Sequence, residues 1–192
     1  EFRRVLFRSS ARAQFNTNAT LIYYDAVSNQ TIDPREPQND SSFAQGTIMA
    51  LFDAVIESGS LEHVFNFPVA LGSLMRMVRV GGWMLMSTPA NNYCGHGFYQ
   101  FTPELMYRVF SEANGFKTER VMLVESTYSS AELTSNRTAY EVLDPAKAGI
   151  RVGLVTSRPV TMIVEAVNTR SVRPFESPPL QSDYVQAWRT GK

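Results

Sequence analysis

Two short polar segments hold most of the residue types in this chain that could do chemistry. The first, residues 57–63 (ESGSLEH), is called the acidic loop, and its Glu57, Glu62 and His63 could bind a ligand or move a proton. The second, residues 91–100 (NNYCGHGFYQ), is called the polar loop and places a histidine between two glycines. Its amides and aromatic rings could supply the polar contacts and the walls of a small pocket.

Each loop also has a plainer interpretation. Ser60 could cap a short helical turn with His63 as a satisfied surface residue, and the spacing alone favours this. The polar loop could equally be a glycine-bent surface loop whose aromatic rings pack against the next helix. Cys94 has no identifiable base, so an inert thiol is favoured over a nucleophile. Two histidines and one cysteine match no spaced ligand set such as C-x-x-C, so the sequence predicts no metal site.

Both loops follow predicted strands, which must position them. Phe52, Ala54, Val55 and Ile56 form a short apolar run around Asp53, typical of a strand in a parallel sheet covered on both faces. A helix is predicted from Pro68 through the basic last turn at Arg79, with Gly81 and Gly82 allowing a left-handed exit. The next strand is expected at 83–87. We therefore expect the two loops at the edge of the sheet where ligands usually bind.

The rest of the chain continues the alternation of strands and helices. Thr102-Pro103-Glu104 is a typical helix start, and Asn114-Gly115 is expected to end that helix before a strand at 116–125. Residues 19–27 suggest a short strand, 28–46 a long surface loop, and 126–143 are ambiguous. Residues 152–155 and 159–167 predict one or two strands, with the last one running antiparallel. The alternation predicts an α/β fold with a mostly parallel sheet.

Composition excludes some broad classes of function. Lys+Arg and Asp+Glu both total 18, so the net charge is zero and nothing indicates nucleic-acid binding. No apolar run approaches the length of about 20 residues that a membrane span needs. The single cysteine fits a reducing compartment, so the cytoplasm is the expected location.

The first nine residues, EFRRVLFRS, match the translation of a common sequencing adapter. We therefore expect residues 1–9 to be an artefact outside the fold, with the gene truncated upstream of Ser10. On this division, residues 10–168 are a partial domain and residues 169–192 are an extended tail with a short amphipathic piece near its end.

Three stretches carry a resemblance to a known family. Residues 52–71 (FDAVIESGSLEHVFNFPVAL) and 76–92 (RMVRVGGWMLMSTPANN) resemble the C-terminal half of class I S-adenosylmethionine-dependent methyltransferases of the type 11 kind. Residues 95–105 (GHGFYQFTPEL) resemble a loop in a subgroup of bacterial methyltransferases often found near glycan genes. The resemblance covers roughly 52–125, together with 159–167 as the antiparallel last strand of a Rossmann-like methyltransferase sheet.

The resemblance implies methyl transfer from S-adenosylmethionine to a small-molecule or glycan acceptor. It implies that the cofactor contacts the first part of the acidic loop, namely Glu57, Ser58, Gly59, Ser60 and Leu61. It also implies that the acceptor faces the polar loop through Asn91, Asn92, His96, Tyr99 and Gln100. His63 and His96 are the candidate catalytic bases.

One family feature is missing, because no acidic residue followed by G-x-G occurs in the chain. A methyltransferase-like binding or scaffolding module without cofactor is therefore the alternative. A nicotinamide oxidoreductase would need a similar glycine-rich turn and is less favoured.

In the family the first strand lies beside the fourth, so without it residues 52–57 are expected to form an exposed apolar edge. From this we expect poor solubility and no saturable S-adenosylmethionine binding by the chain as given.

Overall fold

The computed structural model describes the backbone of residues 4–8, 20–25, 30–32, 52–126 and 137–190. Side chains are described for residues 52–126, 137–185 and 187. This part of the chain has a mixed α/β fold built around one mixed sheet. The expected α/β class is confirmed at this level.

The sheet has eight strands among the described residues. In chain order they are β1 (Arg4–Arg8), β2 (Thr20–Asp25), β3 (Gln30–Ile32), β4 (Phe52–Ser58), β5 (Val78–Asn91), β6 (Phe116–Glu125), β7 (Thr138–Glu141) and β8 (Val160–Asn168). Their order across the sheet is β3-β2-β1-β4-β5-β8-β6-β7. The pairs β1–β2, β1–β4 and β4–β5 are parallel, and the other pairs are antiparallel. Five strands, from β4 to β7 across the sheet, have described side chains.

Four helices accompany the sheet: α1 (Phe67–Met77), α2 (Pro103–Val109), α3 (Pro145–Ala148) and α4 (Ser182–Thr190). Several expectations are confirmed here. Thr102 caps α2, since its hydroxyl accepts from the backbone N–H of Leu105. β6 spans the predicted 116–125, and β8 runs antiparallel to both of its neighbours. α4 covers the predicted amphipathic piece in the tail.

The expected exposed edge at residues 52–57 is wrong. β1 pairs in parallel with β4, placing Val5 opposite Ala54 and Arg8 opposite Glu57. Part of the segment expected to lie outside the fold thus forms a strand, and the expected cause of poor solubility is absent. β3 also lies inside the stretch predicted as a long loop.

The turn between α1 and β5 differs from the prediction. α1 ends at Met77, and β5 begins at Val78, opposite Phe52 of β4. The register then shifts, so that Trp83 lies opposite Ala54 and the intervening residues bulge. Gly81 has φ +77° in this bulge, not at the helix end. The left-handed glycine was therefore expected correctly, but its structural role was not.

Two other boundaries also differ. α2 ends at Val109, and a separate 3-10 turn (Glu112–Asn114) leads to Gly115 at φ +76°. Residues 152–155 form no strand. The core lies between the sheet and helices α1 and α2, where fully buried side chains include Val55, Leu74, Met84, Met106 and Met162.

Candidate functional site

The acidic and polar loops meet at one edge of the sheet because they follow neighbouring parallel strands. Ser58 at the end of β4 lies opposite Ser87 of β5. The backbone N–H of Gly59 donates to the carbonyl of Ser87 at 2.9 Å. Gly59 has φ +74°, a conformation that glycine adopts without strain, and it turns the chain back over the strand ends.

Glu57 shapes the acidic loop from inside. It is fully buried, and its Oε1 accepts from the backbone N–H groups of Ser60 at 2.7 Å and Leu61 at 3.1 Å. Its Oε2 is buried with no hydrogen-bond partner. Desolvation raises the pKa of Glu57, although the Ser60 and Leu61 donors oppose this and the charge of Glu62 adds to it. Glu57 therefore holds the loop and is not open to a ligand.

The five residues expected to contact the cofactor thus divide into two groups. Glu57 and Leu61 are buried, and Leu61 belongs to the core. Ser58 and Ser60 are half-buried and Gly59 is exposed, so these three residues present the loop to solvent. The Oγ of Ser60 is itself buried and has no hydrogen-bond partner.

Glu62 is the centre of the site, although the resemblance gave it no role. Its side chain is fully buried, and its Oε1 has no hydrogen-bond partner. This oxygen lies 3.4 Å from His96 Nε2 and 3.9 Å from His63 Nε2. Its Oε2 accepts from the Thr88 hydroxyl over a long 3.5 Å. A buried carboxylate is costly without strong partners, so its placement needs a reason.

The polar loop is attached to Glu62 through the backbone. The N–H groups of Phe98 and Tyr99 both donate to the Glu62 carbonyl, at 2.7 Å and 3.3 Å. Gly97 has φ +80°, and a Cβ there would lie 2.8 Å from the same carbonyl oxygen. Only glycine permits this close approach, which brings His96 over the acidic loop.

The two candidate bases therefore lie side by side. The ring centroids of His63 and His96 are 4.9 Å apart, and the Tyr93 ring is 5.8 Å from His96. Both histidine side chains are about half exposed, at 49% and 51%. They share the buried Glu62 carboxylate and remain open to solvent.

The other predicted acceptor-binding residues mainly hold the polar loop. The Asn92 amide donates to the carbonyls of Thr156 and Arg158, and Asn92 has φ 59°. The remaining three residues make bonds of the same kind: Asn91 Oδ1 accepts from the N–H of Asn92, Gln100 Oε1 accepts from the N–H of Tyr93, and the Tyr99 hydroxyl donates to the Phe65 carbonyl. Asn91 also lines a groove beside the loop.

That groove has a volume of about 1100 Å³ and opens at the ends of β5 and β8. Its walls come from α2, α3, residues 149–154 and the start of α4. Charges on it are paired: Arg108 lies 3.4 Å from Glu104 and also pairs with Asp144, and Arg151 pairs with Asp183 at 2.5 Å. This groove could not be predicted from the sequence, because its walls come from segments far apart in the chain.

Unsatisfied polar atoms concentrate at the acidic loop. Four buried side-chain N or O atoms in the described residues lack a hydrogen-bond partner, and three of them belong to Glu57, Ser60 and Glu62. Because buried polar atoms are nearly always paired, the unpaired Glu62 Oε1, which faces the two half-exposed histidines, indicates a place for a ligand or an ion.

Comparison with known proteins adds no family assignment. No family model matches the chain, and no curated protein matches it. Among the helices that the structure describes, none has the length and apolar character to span a membrane.

Proposed function

We propose that this chain carries the C-terminal half of an S-adenosylmethionine-dependent methyltransferase acting on a small-molecule or glycan acceptor, in the cytoplasm. The observation that supports this most is the direction and order of the strands. β4 and β5 run parallel, and the last strand, β8, runs antiparallel beside β5. The methyltransferase resemblance implies an antiparallel last strand of this kind.

The acidic loop offers one wall of a cofactor site. Ser58 and Gly59 reach solvent, whereas Ser60 is half-buried and its Oγ is enclosed. Glu57 does not fit a direct contact, because it is enclosed and bonded to its own loop. The residues after β1, SSARAQ, contain no glycine that could form the other wall.

When bound, S-adenosylmethionine supplies a methyl group already activated by a sulfonium. The task left to the protein is to align the acceptor and remove its proton. In this proposal the acceptor lies against the polar loop, and His63 or His96 accepts its proton at Nε2. Glu62 would stabilise the imidazolium that results, since its Oε1 lies within 4 Å of both rings.

The test begins with the genomic sequence upstream of Ser10. If it encodes an acidic residue and a G-x-G turn, the longer product should bind S-adenosylmethionine saturably in calorimetry and transfer a tritiated methyl group to a glycan or metabolite extract. The 192-residue chain is the control and should not bind. A longer product with an intact turn that shows neither binding nor transfer would overturn the proposal. A degraded turn together with no cofactor binding would favour the alternative, a binding or scaffolding module.

A further inference from the structure

The acidic and polar loops bring three potential metal ligands together. Glu62 Oε1 and one ring nitrogen each from His63 and His96 all lie within 4.8 Å of one another. Two imidazoles and one carboxylate form a ligand set that zinc and other first-row transition metals accept. We propose that these three residues form a divalent transition-metal site, for which Zn²⁺ is the reference ion.

The distances suit a single ion between the three groups. Metal–ligand bonds of about 2.0–2.1 Å in tetrahedral geometry separate the ligand atoms by about 3.3 Å. Glu62 Oε1 and His96 Nε2 are already 3.4 Å apart. The His63 nitrogen is 3.9 Å from the same oxygen, and its half-exposed ring can rotate inward. Solvent would complete the coordination on the open side.

The burial of Glu62 is the second and independent observation. Its Oε1 is enclosed, has no hydrogen-bond partner and points at the two imidazoles. Glu57 is another fully buried carboxyl group in the same loop. Among the residues whose side chains the structure describes, no Lys or Arg forms an ion pair with Glu57 or Glu62. A cation at Glu62 Oε1 would offset the cost of burying this carboxylate.

The surrounding structure would orient these ligands. The Thr88 hydroxyl donates to Glu62 Oε2 and leaves Oε1 to face the histidines. The Phe98 and Tyr99 N–H groups fix the Glu62 backbone and with it the position of His96. Such outer contacts are a regular feature of metal sites. The sequence prediction of no metal site rested on spacing along the chain, whereas Glu62 and His96 meet only through the fold.

This site does not depend on the proposed methyltransferase activity, because its test uses Zn²⁺ alone. The tag-free chain is titrated with Zn²⁺ by calorimetry and by competition with a chromogenic chelator, and Co²⁺ is added to detect the visible bands of nitrogen and oxygen ligation. We expect one ion per chain and a rise in melting temperature on binding. The chain has only two histidines and one cysteine, so few other groups compete.

Variants separate this site from adventitious binding. His63→Ala and His96→Ala should each weaken Zn²⁺ binding by about 100-fold or more, since even outer-shell changes cost about 10–100-fold. Cys94→Ser is the matched control, because Cys94 is exposed in the same loop and outside the cluster. Glu62→Gln should also lose Zn²⁺ binding. If this variant fails to fold, the two histidine variants alone test whether the cluster binds the ion. Absence of saturable binding, or binding that survives both histidine substitutions, would overturn the proposal.

Discussion

Gly97→Ala tests whether the polar loop is held against Glu62. The alanine Cβ would lie 2.8 Å from the Glu62 carbonyl oxygen and 3.1 Å from its Cγ, at a φ of +80°. Alanine in the left-handed region costs about 1–2 kcal/mol. Relief of the contact would lengthen the hydrogen bonds from Phe98 and Tyr99, each worth about 0.5–1.5 kcal/mol. Alanine also lowers the conformational entropy of the unfolded chain, which offsets this loss by about 0.4–1 kcal/mol.

The expected net loss is about 1–3 kcal/mol in the free energy of unfolding, or about 3–9 °C in melting temperature for a chain of this size. Urea titration followed by circular dichroism measures the loss. Hydrogen exchange at the Phe98 amide reports whether the loop has left Glu62, because a local opening need not unfold the domain. Both measurements are made without added metal, so that ligand binding does not mask the effect.

Gly95→Ala is the matched control in the same loop. No heavy atom lies within 4 Å of a Cβ built on Gly95, and its φ is not positive. Its stability should change by less than about 0.5 kcal/mol. If Gly97→Ala and Gly95→Ala give the same unfolding free energy and the same protection of the Phe98 amide, the close packing of Gly97 on Glu62 is wrong.

Two further predictions concern buried polar groups. Because the pKa of Glu57 is raised, its contribution to stability is fully present below the unfolded pKa and is lost as pH rises through the folded pKa. Glu57→Gln, compared with the parent chain in EDTA by urea titration at several pH values, should flatten this decline; a decline as steep as the parent's would contradict it. Asn114 donates to the Val109 carbonyl and accepts from the Phe175 N–H, both at 2.9 Å. Asn114→Ala should cost about 2–4 kcal/mol and speed proteolysis after residue 168; an unchanged rate of proteolysis there would exclude the Phe175 contact as a restraint on the tail.

The sequence predicted well what depends on local pattern. The apolar residues of β4 and the Thr102 cap of α2 can be recognised from neighbouring residues in the sequence, and both were confirmed. The prediction failed where contacts between residues distant in sequence determine the local structure. The bulge at Gly81 and Gly82 forms because the register of β5 shifts against β4, and a Cβ on Gly82 would meet the carbonyls of Phe52 and Asp53 at 3.0 Å. No residue pattern within α1 or β5 indicates this contact between Gly82 and β4.

The site shows the same division between local pattern and fold. That both loops would follow adjacent strands was predictable, since parallel strands end at one edge of a sheet. That Glu62 would be the buried partner of both histidines was not, because its enclosure depends on the approach of Gly97, 35 residues further along the chain. The roles expected for Asn92 and Gln100 were assigned from residue type, whereas the structure uses both amides to fix the loop.

The base and the metal ligand are competing uses of the same atoms. A histidine Nε2 that binds a metal ion has no free lone pair for a proton, so His63 and His96 cannot perform both functions while the ion is bound. A bound ion could still serve a methyl transfer, because it lowers the pKa of a hydroxyl that coordinates to it. The two functions therefore differ in their response to a chelator. Removing the ion would raise methyl transfer if the histidines act as bases, and would abolish it if the ion activates the acceptor.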